Sequence, residues 1–339
     1  MSLPTRRLGR SHLEVTVLGF GGAPLGDIYQ VLDDATAIAT VETAAQAGMT
    51  LFDAAPLYGQ GMAEHRIGTA LRRQPAGSFV LASKVGRLLT PAPQGRTKTT
   101  HYVGGLSFNV VHDYSYDAAM RSHEQSLHRF GLPKIDILLI HDADAWSHGP
   151  EEGPKRYREA MGGAYRALEK LRAEKVVKAI GIGVNDPVYA ARFLREGDFD
   201  CMLLAGRYSL LEQPALREVL PLAAAKNVGV MLGGVFNSGI LATGPIPGAK
   251  YNYTAAPPEI VDRVRKIERV CAAHGVALPT AAMHFSLGGP AVSSLVLGAV
   301  TPDEVRRNVA ALSAKVPAAL WADLKTEGLL EASAPTPAP

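Results

Sequence analysis

The 339-residue chain is poor in cysteine, in net charge and in long apolar runs, and each shortage removes a class of protein. Its two cysteines, Cys201 and Cys271, stand apart from each other and from any Cys/His cluster. That excludes a zinc site of the usual spacing and a disulfide framework, and no metal is expected. Basic and acidic residues nearly balance, 35 against 32, for a formal net charge of +3, and the basic ones are scattered. Nucleic acid, which needs a basic stripe, is not an expected partner. No apolar run is long enough to span a bilayer, so no membrane role is expected. The opening MSLPTRRLGRSHLEV lacks the apolar core of a signal peptide. With so little cysteine, a reducing cytoplasm is the expected location.

What is present is alternation. Residues 6–8 and 14–17 flank Gly9-Arg10-Ser11 and read as a hairpin. Eight short apolar runs follow, at 15–21, 50–53, 79–84, 136–141, 178–184, 201–205, 229–232 and 294–298. Helical patterns fill the gaps, among them 35–47, 63–73, 116–130, 156–174, 214–225, 258–274 and 302–312, with Gly48, Gly131 and Gly275 as stop signals. The strands are continuous apolar runs, which suits a parallel sheet covered by helices. Eight strand–helix units in this length predict a single (β/α)8 barrel over 1–330, with a doubly wound sheet as the alternative. A Rossmann reading of GFGG at 19–22 is weak, because Ala23-Pro24-Leu25-Gly26 follows it and no partner acid closes the unit. The small, Pro-rich segment 331–339 is expected to fray. Two stretches, 86–114 and 142–155, read as long loops after the third and fourth strands, on the face where barrels carry their sites.

Polar residues end several of these apolar runs. Asp53, Lys84 and His141 end the second, third and fourth, and Asn185 follows the fifth. Singly, each has an ordinary explanation: a capping carboxylate, a snorkelling lysine, a satisfied core histidine. Together at one end of a barrel they point to a reaction site.

Around these residues the motifs FDAAPLYG (52–59), ASKVG (82–86), LLIHD (138–142), GIGVND (181–186) and GAVTPDEVRRN (298–308) resemble the aldo-keto reductase superfamily over nearly the whole chain. The resemblance implies a catalytic tetrad of Asp53, Tyr58, Lys84 and His141 and a nicotinamide cofactor. Elementary electrostatics fits those roles. A tyrosine hydroxyl, with a pKa near 10, is a poor base at neutrality. A lysine ammonium at ~4 Å and an effective dielectric of ~20 attracts the phenolate by up to about 4 kcal/mol, roughly three pKa units before desolvation. Asp53 would keep Lys84 charged and aimed, and His141 would orient the substrate oxygen.

The same resemblance places the nucleotide along Asn185, Tyr208, Gly234, Phe236, Asn237, Ser238, Gly239, Leu241, Gly298, Thr301, Glu304 and Asn308. Members preferring a 2′-phosphate commonly carry a basic residue where this chain has Glu304. A carboxylate there repels a phosphate and suits a free ribose hydroxyl, so NAD is expected over NADP. Arg306 and Arg307 lie close enough in sequence to reverse that. Ala205 stands where the family often has a Gln, and Gly233 where it often has a stacking Tyr, with Phe236 as a substitute wall.

KVGRLL (84–89), DYSYDAAMRSHEQSL (113–127), IDILLIHDAD (135–144), AGRYSLLEQ (205–213) and NSGIL (237–241) narrow the resemblance to the L-fucose dehydrogenase (D-threo-aldose 1-dehydrogenase) group, with pyridoxal 4-dehydrogenase as a near neighbour. That implies NAD-dependent oxidation of a hemiacetal hydroxyl to a lactone, with Tyr58 as base. The substrate would be a small aldose such as L-fucose, D-arabinose or L-galactose, or pyridoxal. Tyr29 and Trp146 are candidates to stack on the substrate ring; His112 and Tyr102, on the third loop, are weaker ones. An NADPH-dependent carbonyl reductase is a broader alternative, which Glu304 opposes. A nucleotide-sensing regulatory subunit is the non-enzyme alternative, which the intact tetrad opposes. No oligomeric state follows from these motifs.

Overall fold

The computed structural model describes residues 3–95 and 101–337. Residues 96–100 of the expected third loop and the last two of the tail lie outside them. A hairpin of β1 (Thr5–Arg7) and β2 (Glu14–Thr16) precedes the barrel. Strands β3 (Leu18–Gly21), β4 (Leu51–Asp53) and β5 (Val80–Val85) come next, followed by a second hairpin, β6 (Arg87–Pro91) and β7 (Phe108–His112). Then come β8 (Ile137–His141), β9 (Ala179–Val184), β10 (Cys201–Ala205) and β11 (Gly229–Gly233). A short ribbon, β12 (Lys250–Tyr251) with β13 (Thr254–Ala255), precedes β14 (Val292–Gly298). β3, β4, β5, β8, β9, β10, β11 and β14 are all parallel and close on themselves in that order. The closed sheet settles the fold as a (β/α)8 barrel and removes the doubly wound alternative.

The helices are α1 (Asp34–Gln46), α2 (Met62–Leu71), α3 (Tyr116–Phe130), α4 (Ala145–Gly162), α5 (Ala164–Ala173), α6 (Pro187–Glu196), α7 (Val219–Ala225), α8 (Ile240–Thr243), α9 (Pro258–Ala273), α10 (Leu278–Leu287), α11 (Pro302–Leu312) and α12 (Ala318–Thr326). Local chemistry sets their ends. The Ser115 hydroxyl accepts from the Ala118 N–H at 3.3 Å to start α3, and Gly131, at φ 61°, ends it.

Four expectations need correction. The first apolar run, 15–21, is broken at Val17, because the Thr16 hydroxyl bonds the Leu18 carbonyl at 2.6 Å and diverts the chain from hairpin to barrel. The segment 142–155 is mostly helix, not loop: Asp144 caps α4 by accepting from Ser147 N–H at 2.8 Å, and a break at Gly149 (φ 78°) lets Pro150 restart it. The single helix expected over 156–174 is split at Gly163, where a Cβ would lie 2.5 Å from the Tyr114 carbonyl oxygen. The end of the chain, expected to fray, is held as far as it is described: Ala334 is buried, and the Glu331 N–H reaches Gln213 Oε1 at 3.4 Å.

Two apolar layers result. One lies between the barrel and its helices. The other fills the barrel and includes Leu8, Leu13 and Val15 of the first hairpin with Leu51, Ile137, Leu139 and Met231. Gly9, at the hairpin tip, touches backbone: a Cβ there would lie 2.2 Å from Gly229 N. The hairpin therefore closes the end of the barrel opposite the strand C-termini.

Candidate active site

Asp53, Lys84 and His141 are the last or next-to-last residues of β4, β5 and β8, and all three are buried. Adjacent strands in parallel register bring these ends together. Tyr58 comes from the turn after β4, closed by its N–H to the Ala55 carbonyl at 3.0 Å. The turn works because Gly59 (φ 61°) lies against Gly26 backbone to backbone; a Cβ on Gly26 would sit 2.4 Å from Gly59 N. The Tyr58 ring meets the His141 ring edge-on at 5.9 Å, and Lys84 Nζ lies 4.8 Å from the Tyr58 ring centroid.

Lys84 Nζ donates to both Asp53 oxygens at 2.7 Å and to the Ala54 carbonyl at 2.8 Å. All three ammonium N–H groups are thereby used, and the charge is matched by a carboxylate. This corrects the simple expectation that Lys84 lowers the Tyr58 pKa. Burial pushes the Tyr58 hydroxyl well above its usual value, and the Asp53 charge adds to the shift. In the protein alone Tyr58 is a neutral phenol. Burial also pushes the Asp53 carboxyl up, against the opposing charge of Lys84. His141 is held well below the usual histidine value by burial and by the cations Arg87 and Lys84, so its imidazole is neutral.

Above the tetrad opens a cavity of about 540 Å³. Asp53, Tyr58 and eight of the twelve residues expected at the nucleotide line it: Asn185, Gly234, Phe236, Asn237, Ser238, Gly239, Gly298 and Glu304. Thr301, Asn308, Tyr208 and Leu241 do not. Thr301 instead caps α11, accepting from Glu304 N–H at 3.3 Å, and Asn308 lies further along that helix. Tyr208 packs on Phe285 at 5.1 Å and Leu241 is core. The chain turns at Gly206 (φ 67°), so Arg207 and not Tyr208 reaches the cavity. Glu304 is engaged as well: its carboxylate accepts from Val300 N–H at 2.8 Å, tying the residue before the cap to the first turn of α11. Arg306 pairs with Asp303 on the helix surface.

The cavity fits a nicotinamide dinucleotide. Its size is that of a small-molecule site. Gly233, Gly234 and Gly298 leave one wall without side chains, and Asn237 Oδ1 is buried with no hydrogen-bond partner.

Tyr29 lines the cavity, but its ring faces Lys250 Nζ at 4.8 Å and its hydroxyl engages Ser238. Trp146 is half exposed outside the cavity lining, with the Arg207 guanidinium 4.4 Å over its ring. Tyr102 lies 6.1 Å from the Tyr58 ring, and His112 meets the His148 ring edge-on at 4.7 Å. Three residues near the site had no role in the sequence reading: Arg207, Tyr253 and Arg87. Arg207 and Arg87 are buried charges, each within three residues of a strand's C-terminal end, and that was the available signal.

Asp144, fully buried, has its carboxyl pushed up to about 7 by burial and by the Asp142 charge. The folded protein thus holds a proton that the unfolded chain releases near pH 4. Stability present below that pH is lost as pH rises toward 7. Asp144→Asn keeps the cap and removes the charge. Its thermal midpoint should exceed the parent's at pH 8 by several degrees (~2–4 °C per kcal/mol), and the gap should narrow at pH 5. An equal difference at both pH values would contradict this.

A family model described as "Aldo/keto reductase family" matches residues 17–326. The chain belongs to this family. The protein is an NAD(P)-dependent oxidoreductase of the type acting on CH–OH groups. It is 41% identical over 334 residues to the pyridoxal 4-dehydrogenase of Microbacterium luteolum, covering 96% of this chain and 97% of that one. It is 38% identical over 337 residues to the D-threo-aldose 1-dehydrogenase of a Pseudomonas species, covering 96% of each. Among solved structures, the holo form of aldo-keto reductase AKR11C1 from Bacillus halodurans aligns with a TM-score of 0.76 and 25% identity, over 98% of this chain and 97% of that one. No single helix among the described residues is long and apolar enough to cross a membrane.

Proposed function

We propose that the protein oxidises the anomeric hydroxyl of a cyclic hemiacetal to a lactone, using NAD, with a small aldose as substrate. The carrying observation is the T-shaped contact of Tyr58 with the neutral His141 beside the Lys84–Asp53 pair, at a cavity that Tyr58 lines. When bound, oxidised nicotinamide supplies the hydride acceptor and a positive charge in that cavity. Such a charge would favour the Tyr58 phenolate, which burial and the Asp53 charge oppose. Tyr58 then takes the hydroxyl proton, and His141 holds the substrate oxygen in line. A second reading, oxidation of pyridoxal at the same hemiacetal carbon, is favoured by the 41% relative of that name.

NAD is preferred because Glu304 lines the cavity, and a 2′-phosphate, if held at the position where the family resemblance places the ribose, would be repelled by its carboxylate. The test is NADH and NADPH formation with L-fucose, D-arabinose, L-galactose and pyridoxal. Turnover with NAD and one of the sugars supports the aldose reading, turnover with pyridoxal alone supports the second, and none with either nucleotide sinks both. Glu304→Gln retains an acceptor for the Val300 N–H and removes the charge. It should narrow the preference for NAD by about tenfold, as expected for ~1.4 kcal/mol of repulsion, and an unchanged ratio would remove the argument.

A further inference from the structure

Asp142 follows His141 directly, and its backbone is held in the left-handed region at φ 48°. The strain is imposed from three sides. Its N–H donates to the Gly183 carbonyl at 2.8 Å, and the Tyr114 hydroxyl sits 2.8 Å from the His141 carbonyl and 3.0 Å from that of Asp142. Tyr114 in turn packs on Gly86, where a Cβ would lie 2.3 Å from its ring. A non-glycine residue held in this region by its surroundings marks a place where a side chain has been aimed.

The aimed group is the carboxylate. Its Oδ2 accepts from Arg87 Nη2 at 2.9 Å and lies 3.5 Å from His141 Nε2; its Oδ1 accepts from Asn185 Nδ2 at 3.3 Å. His141 Nδ1 is buried with no hydrogen-bond partner, so Nε2 is the nitrogen left open. A neutral imidazole has one proton for two nitrogens. A carboxylate near Nε2 disfavours a lone pair there and favours N–H. On the other side, a buried N–H without an acceptor is worse than a buried lone pair without a donor. Both terms act in the same direction.

We infer that Asp142, anchored by Arg87 and Asn185, is a positioning residue that fixes His141 as the Nε2–H tautomer, so that the imidazole presents a donor to the substrate oxygen. The inference rests on the proposed role of His141, and the tautomer itself is measured without substrate. Arg87 anchors the carboxylate in place, while burial and the Arg87 cation hold the imidazole neutral. In an electrophilic or orienting role the wrong tautomer turns a lone pair toward the substrate oxygen and repels it.

The experiment is ¹⁵N-histidine NMR of the full chain, with the His141 signal assigned by its loss in His141→Asn. Wild type should show the Nε2–H pattern. Asp142→Asn should shift the tautomer ratio by about tenfold or more and lower kcat by about 10–100-fold. The NAD dissociation constant should move by less than about threefold, since nucleotide binding does not depend on the imidazole proton. Should Asp142→Asn leave Arg87 unpaired and fail to fold, Asp142→Asn combined with Arg87→Met removes both charges and carries the same expectation. Arg87→Lys, which keeps a cation, should retain the wild-type tautomer. A His141 signal unchanged in the Asp142 variants overturns the inference, as does a fall in kcat without a change of tautomer. A changed tautomer with unchanged kcat overturns its bearing on catalysis. If wild type oxidises none of the hemiacetals, the functional reading fails and the substrate-free spectra still decide the tautomer.

Discussion

Tyr58→Phe should lower kcat by about 10²–10⁴-fold and leave nucleotide affinity unchanged, the usual range for loss of a positioned acid–base group. The ring stays, so its edge contact with His141 and its place in the cavity wall stay too. What is lost is one oxygen that exchanges a proton. Isothermal titration with NAD alongside initial rates separates the two effects. A variant with near-normal kcat would show that another group takes the proton, and the assignment of Tyr58 would fall. Because burial pushes the free Tyr58 hydroxyl well above its usual range, the wild-type rate with saturating NAD should rise as pH rises.

The second large effect is on both stability and rate. Lys84→Met leaves the Asp53 carboxylate buried with its three-donor partner gone. Breaking a buried pair from one side costs about 3–5 kcal/mol, or near 10 °C in thermal midpoint for a chain of this size. Asp53→Asn added to Lys84→Met removes the stranded charge, and much of the lost stability should return. The rate should not return with it, because the pair also sets the field at Tyr58. Thermal melts and turnover of the single and double variants make the measurement. A double variant no more stable than Lys84→Met would mean that the pair is not the source of the loss.

The barrel was legible because each strand is an apolar run whose inner and outer faces are both buried, as in Ile137–His141 and Ala179–Val184. The residues that break those runs, Asp53, Lys84 and His141, stood out for the same reason. What stayed hidden depends on how a chain closes on itself. The cap at Asp144 and the break at Gly149 turned an apparent loop into α4. Arg207 displaced Tyr208 from the cavity through the turn at Gly206, a backbone choice that spacing does not reveal. The neutralising of Lys84 by Asp53 and Ala54 is a matter of three distances. Motif order gives the partners and not how many donors are left.

The first hairpin has a consequence for traffic. With Leu8, Leu13 and Val15 packed into the barrel and Gly9 pressed on the Gly229 backbone, the end of the barrel behind the tetrad is closed by apolar side chains. In the proposed reaction, the proton taken by Tyr58 would leave by the same cavity mouth that admits substrate and nucleotide. A floor this tight makes proton departure and product departure compete for one opening, and it couples the enzyme's recovery to the loops around its mouth.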